Sequence, residues 1–220
     1  SPEQKRLQVV AIQPPPDSAN VLRSDEVRLR TMENLTRTVL ENNPVNPGAV
    51  VLWPEGAISN TSTDTSADRA VLSAMNERYQ VQSIVNVQIA AQAKDTYTNS
   101  NVVIGETGKI SSRYDKIYLA PFGEKTPWPF KWEPLMSLLE LILSGTTPRV
   151  QEGKTSSPLE MKNGLRVGST ICIEYVYPEL FQNLLAEKVD LFVNLSNFSA
   201  IGQANTFAAV STLLSSRAVE

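Results

Sequence analysis

The chain has 220 residues, a formal net charge of -3 and an isoelectric point near 5.2. That length supports one large α/β domain with a proper core, and the mild acidity argues against a nucleic-acid partner, which selects a basic face. One cysteine and no histidine exclude an internal disulfide, a cysteine zinc cluster and the Ser-His-Asp, Cys-His and HExxH chemistries.

Residues 7–13 (LQVVAIQ) read as a first strand, stopped by Pro14, Pro15 and Pro16. Residues 24–40 place Val27, Leu29, Met32, Leu35, Val39 and Leu40 at helical spacing, with Ser24 in the N-cap position. After a turn over 42–48, residues 49–53 (AVVLW) form a buried strand that ends in Pro54-Glu55-Gly56. A second helix over 67–79 and a strand over 81–90 follow. Residues 101–105 and 109–114 flank Glu106-Thr107-Gly108, a hairpin signal.

Beyond Asp115-Lys116 comes LAPFGEKTP at 119–127, then an arm over 128–143 that carries Trp128, Trp132 and the run LMSLLELIL. The strand over 164–172 delivers Cys172 to a turn, and Pro178 opens a helix over 179–188. A strand over 189–195 runs into Ser196-Asn197, and 203–220 has a helical pattern. Alternating strands and helices with one hairpin predict a mixed sheet covered by helices. No composition break divides the chain, so residues 1–220 read as a single domain. The sequence starts without methionine and stops inside a helical pattern, which is expected of a fragment of a longer protein.

Glu55, Lys116 and Cys172 all sit just past strand ends, where α/β sheets gather their sites. Each has an ordinary structural reading as well. A lone cysteine can be a small buried hydrophobe, a glutamate after Trp-Pro a solvated turn residue, and a lysine after a strand a surface charge. Their combination is chemically complete. Without histidine a thiol needs another base, which a carboxylate can be, and an acyl-transfer oxyanion needs a positive charge, which a lysine supplies.

The motifs WPEG at 53–56, YDKIYLAPFGEKTP at 114–127, CIEYVYPE at 172–179, NLSN at 194–197 and SRAVE at 216–220 resemble the nitrilase (carbon-nitrogen hydrolase) superfamily. Within it they are most similar to the extracytoplasmic domain of the apolipoprotein N-acyltransferases. The resemblance implies a nitrilase-like αββα sandwich with mixed sheets, here lacking its closing C-terminal strands. It implies Glu55 as general base, Lys116 as oxyanion stabiliser and Cys172 as nucleophile. Glu124 and Glu174 are expected beside them, orienting Lys116 and the incoming amine, with the backbone N–H of Ile173 as a second oxyanion donor.

The implied reaction moves a fatty acyl chain from a phospholipid, through a thioester on Cys172, to the N-terminal amine of a diacylglyceryl-cysteine lipoprotein. It needs no cofactor and no metal. Its partners are the phospholipid donor, the lipoprotein acceptor and a membrane surface, with no nucleic acid. Its place is the periplasmic side of the bacterial inner membrane, as the catalytic domain of a membrane-embedded protein. Two departures bear on substrate detail: Phe198-Ser199-Ala200-Ile201 replace the family's Asp-x-Trp-Phe after NLSN, and the histidine of the following helix is missing. A soluble amidase with the same three residues is the alternative, and a catalytically inert scaffold is another.

The arm separates the two enzymatic readings, because tryptophans and leucines beside a catalytic lysine suit a bilayer interface. Trp128, Trp132, Leu138, Leu139 and Leu141 are the expected lipid contacts. Replacing Leu138, Leu139 and Leu141 together by Ser is expected to abolish co-sedimentation with liposomes; unchanged binding would sink the assignment.

Overall fold

The computed structural model describes residues 7–14, 25–58, 66–93, 96–121, 123–125, 150–197, 210–212 and 214–215. Its elements are β1 (Val9–Ala11), α1 (Asp25–Asn42), β2 (Val50–Leu52), α2 (Ser66–Tyr79), β3 (Gln82–Ala90), β4 (Tyr97–Ile104), β5 (Ile110–Asp115), β6 (Leu159–Glu160), β7 (Arg166–Ile171), a 3₁₀ turn (Cys172–Val176), α3 (Pro178–Ala186) and β8 (Leu191–Leu195). Residues 210–212 and 214–215 are helical, inside the stretch expected to be a helix. The arm over 128–143, Phe198–Ile201, Ser24 and SRAVE lie outside the described residues.

Alternation along the strands sets the layers, because successive side chains leave a strand on opposite faces. Val51, Val85, Val87, Ile89, Val102 and Ile104 join Met32 and Leu40 of α1 and Leu72 and Met75 of α2 in one core. The intervening Val50, Ile84 and Val103 join Val167, Ile171, Val193 and Leu195 in a second core. The sequence pattern alone pointed to one mixed sheet; there are two. A five-stranded sheet runs in the order β1-β2-β3-β4-β5 and a three-stranded sheet in the order β6-β7-β8. Pairing is parallel for β1-β2-β3 and β7-β8, and antiparallel for β3-β4-β5 and β6-β7.

On the outer face of the smaller sheet, α3 buries Leu180, Phe181 and Leu184, and Phe181 meets Phe192 of β8 with ring centroids 5.2 Å apart. The layers are therefore helices, sheet, sheet and helix, the αββα sandwich implied by the resemblance. No helix among the described residues is long and apolar enough to cross a membrane.

The largest departure from the expected boundaries is β4, which starts at Tyr97 rather than at 101. The added residues Thr98, Asn99 and Ser100 are polar yet buried, so hydropathy hid them. The two-residue strand β6 carries no pattern and was not expected.

One contact ties the fold to its lysine. The Gly153 N–H donates to the Lys116 carbonyl over 2.7 Å. A Cβ at 153 would stand 2.2 Å from the Asp115 carbonyl oxygen, so the strand end leading into Lys116 leaves room only for glycine. Gly153→Ala is expected to lower stability by about 1–3 kcal/mol in urea unfolding. Gly105→Ala, where nothing lies within 4 Å of the added carbon, is expected to stay within about 0.5 kcal/mol of the parent. Equal midpoints for the two variants would refute the close approach.

Candidate active site

Four backbone corners bring the site together. At the end of β2 the chain turns sharply. Trp53 donates its N–H to the Ile84 carbonyl (3.0 Å) and its indole N–H to Thr36 Oγ1 (3.0 Å), while Ala57 N–H reaches back to the Pro54 carbonyl (3.2 Å). Glu55 stands at the tip of this turn, and Gly56 takes a positive φ of 73° that favours glycine. One Glu55 oxygen, Oε2, accepts the Asn197 N–H at 3.2 Å, from the end of β8.

Lys116 follows β5 directly. Its N–H donates to the Asn99 carbonyl over 2.8 Å, so both its backbone groups are held. The side chain is 1% exposed, with Nζ 2.7 Å from Glu124 Oε2 and 3.4 Å from Glu55 Oε1. Burial works to lower its pKa, but the two carboxylates outweigh burial and hold the ammonium above the usual lysine value. Glu124 is anchored in turn, Oε2 accepting the Ala120 N–H at 2.8 Å. Asn99 Nδ2 bridges the two acids, at 3.0 Å from Glu55 and 3.1 Å from Glu124.

Cys172 sits where β7 becomes the 3₁₀ turn, with a φ of 51°, a left-handed conformation that costs a side-chain-bearing residue about 1–2 kcal/mol. The elbow is braced by Asn194 Nδ2, which donates to the Cys172 carbonyl at 3.2 Å and to Thr170 Oγ1 at 2.9 Å. The half-buried thiol lies beside Glu55, Lys116 and the Ile173 N–H. Burial pushes the thiol up to about 12, with the negative charge of Glu55 adding to it and Lys116 pulling the other way. Near neutrality Cys172 is therefore held as the thiol beside the Lys116 ammonium.

Glu174, 0% exposed, closes the arrangement from below. Its Oε1 accepts from Tyr114 Oη (2.8 Å), Ile117 N–H (2.7 Å) and Tyr118 N–H (3.1 Å), and its Oε2 from Ile171 N–H (2.7 Å). Burial raises its pKa, and these donors oppose the rise. Four donors occupy the carboxylate, which grips the backbone on either side of the site.

The structure thus brings together Glu55, Lys116, Cys172, Glu124, Glu174 and the Ile173 N–H. The expected lipid contacts Trp128, Trp132, Leu138, Leu139 and Leu141 lie outside the described residues. Sequence reasoning missed Asn86, Asn99, Asn101 and Asn194. The usable signal was an asparagine in the middle of an otherwise apolar strand, as in SIVNVQI over 83–89.

A carboxylate on a thiol, a buried ammonium within reach of both and a backbone N–H at the sulfur are the parts of base-assisted thiol addition to a carbonyl. An αββα sandwich holding that cluster defines a class of thiol enzymes that work without histidine. The carbon-nitrogen hydrolase family model matches residues 8–220, and the chain belongs to that family of enzymes.

Among its relatives is the apolipoprotein N-acyltransferase of Pseudomonas aeruginosa, 28% identical over 199 residues, which are 89% of this chain and 37% of that protein. The apolipoprotein N-acyltransferase of Rhizobium meliloti is 28% identical over 211 residues, or 92% of this chain and 38% of that one. The chain therefore spans well under half the length of these relatives. The carbon-nitrogen hydrolase of Helicobacter pylori shares the fold with a TM-score of 0.68 at 19% identity, covering 96% of this chain and 69% of that one.

The protonated resting thiol gives a pH prediction. Alkylation of Cys172 by iodoacetamide is expected to rise about tenfold per pH unit without levelling off below about pH 10, because the rate follows the thiolate. Glu55→Gln removes the nearby negative charge, so the thiol pKa falls and alkylation at about pH 8 accelerates. A plateau near pH 8 in the parent, or slower alkylation of Glu55→Gln, would contradict the electrostatics described.

Proposed function

We propose that the chain is the catalytic part, over residues 1–220, of a membrane-embedded acyltransferase whose catalytic domain lies on the periplasmic side of the bacterial inner membrane. The observation that carries this reading is the buried Lys116 ammonium, 3.4 Å from Glu55 Oε1, with the Cys172 thiol beside the pair. The acyltransferase names of the relatives support the choice of reaction.

In the first step Glu55 accepts the thiol proton as Cys172 attacks an ester carbonyl of a phospholipid. The developing oxyanion is met by Lys116 and the Ile173 N–H. Collapse breaks the ester C–O bond, Glu55 returns the proton to the departing oxygen, and a thioester and a lysophospholipid result. In the second step the amine of a diacylglyceryl-cysteine lipoprotein attacks the thioester and Glu55 takes the amine proton; the C–S bond breaks, Glu55 passes the proton to the departing thiolate, and an amide and the free thiol result. A donor aimed at such an oxyanion contributes about 3–4 kcal/mol to the barrier reduction. A small-amide hydrolase would run the same first half with an amide substrate and use water in the second.

Intact-protein mass spectrometry after incubation with phospholipid vesicles tests the reading. The parent is expected to gain one hydroxylamine-labile acyl chain on Cys172, and Cys172→Ala none. Lys116→Met is expected to acylate roughly 100- to 1,000-fold more slowly. Acylation at another residue would overturn the mechanism. Ammonia release from small amides without any acyl-enzyme from phospholipid would favour the hydrolase.

A further inference from the structure

Between the two sheets lies a chain of amides in which Asn99 touches the catalytic acids and Asn86 does not. Asn86 of β3 is 1% exposed and sits in register with Asn101 of β4, which is 0% exposed. Asn99 lies two residues away on the same face of β4. All three point into the layer between the sheets, where Val50, Ile84 and Val103 pack. Buried side-chain amides there are costly unless every polar atom is satisfied.

Their satisfaction runs in one direction only. The Gly56 N–H, a group that can only donate, meets Asn86 Oδ1 at 2.8 Å. That contact fixes the Asn86 amide: its Nδ2 must face the other way, where it donates to Asn99 Oδ1 (2.7 Å), Asn101 Oδ1 (3.0 Å) and, more weakly, the Ser100 carbonyl (3.3 Å). With their oxygens engaged, Asn99 and Asn101 must present their own Nδ2 groups outward. Asn99 aims its NH₂ between Glu55 and Glu124. Asn101 aims its NH₂ at Ser169 Oγ (2.8 Å) and the Thr170 carbonyl (3.3 Å) on β7, the strand that ends at Cys172.

We infer that Asn86 is the positioning residue of this site: one amide, oriented by the Gly56 N–H, sets the donor direction of Asn99 toward both acids and fixes the Glu55 turn against the strand that carries Cys172. Any polar atom between the sheets could lend stability. Asn86 does more, since it links the base turn, the bridge between the carboxylates and the nucleophile strand through hydrogen bonds whose polarity cannot be reversed without leaving a buried donor facing a donor. The inference rests on the acyl-transfer reading for its kinetic consequence, but not for its electrostatic one.

Among the described residues, the charged and titratable groups around Glu55 are Lys116, Cys172 and, across Asn99, Glu124, with Tyr97 acting on Glu124 and Lys116 and Tyr175 on Cys172. Without Asn86, the Asn99 amide can turn, and Glu55 loses a donor to its charged form. Glu55 is then held less firmly beside the thiol, and its negative charge opposes the thiolate less.

Asn86→Ala in the full chain is read in two ways. Cys172 alkylation by iodoacetamide at about pH 7.5 is expected to become several-fold faster. Acylation from phospholipid vesicles is expected to slow on the order of 100-fold in kcat with KM unchanged, as for a misplaced reacting group that does not touch substrate. Leu72→Ala, in the separate core under α2, serves as the destabilised comparison and is expected to leave the alkylation profile alone. If Asn86→Ala does not fold, Asn86→Ser, which keeps an acceptor for Gly56, is read in its place.

A folded variant with the parent's alkylation profile overturns the inference, as does a profile that moves equally in Leu72→Ala. If the parent takes no acyl chain from phospholipid, the acyl-transfer reading fails, while the alkylation comparison still decides the role of Asn86.

Discussion

An ammonium group with 1% of its side chain exposed cannot stand alone in a protein interior. Burying an isolated charge costs several kcal/mol even after relaxation, and only close counter-charges and hydrogen bonds offset it. Much of the site can be followed outward from that constraint. Lys116 requires Glu124 and Glu55. Those two acids, brought to one cation, require a donor between them, which is Asn99. Asn99 requires its own oxygen to be satisfied, which brings in Asn86. Each member makes the next one necessary, so the cluster behaves as one cooperative unit whose members cannot be exchanged singly.

The thiol sits in a second kind of tension. Cys172 occupies a left-handed backbone conformation, and such strain survives where the surroundings over-determine it. Two braces do so. Asn194 holds the carbonyl of the elbow, and Glu174 captures the Ile171 N–H before it and the Ile117 and Tyr118 N–H groups after Lys116. The same carboxylate therefore fixes where both the lysine and the cysteine leave their strands. Because one oxygen takes three donors and the other a backbone N–H, an amide in its place would turn a donor toward a donor.

Much of this was legible in the sequence. Apolar runs such as AVVLW and those around Val85 and Val102 located the central strands, and helical spacing located α1 and α2. The chemistry-bearing residues were visible as polar groups at strand ends, and the motifs around them carried the family resemblance. What escaped was polar and interior. Thr98, Asn99 and Ser100 read as loop because hydropathy assumes that buried strands are apolar, an assumption that fails where a site needs donors inside the sheet sandwich. The division into two sheets, implied by the family resemblance, was invisible to the strand pattern for a related reason. It depends on which faces meet, and β6 is too short to show a period.

The hydrogen bonds of the site join residues far apart in the chain. Lys116 and Glu55 are separated by 61 positions, Asn101 and Ser169 by 68, and Asn197 and Glu55 by 142. Parallel pairing in β1-β2-β3 and β7-β8 adds to this non-local character. Such topologies fold slowly, because loop closure must precede the contacts that reward it. The reactive centre is consequently among the last features to exist. During synthesis Glu55 emerges long before the segment that gives its Oε2 a donor, and Cys172 acquires its strained elbow only after β8 supplies Asn194. Until both sheets have closed on each other, the nascent chain carries an ordinary cysteine with neither Glu55 nor Lys116 placed beside it.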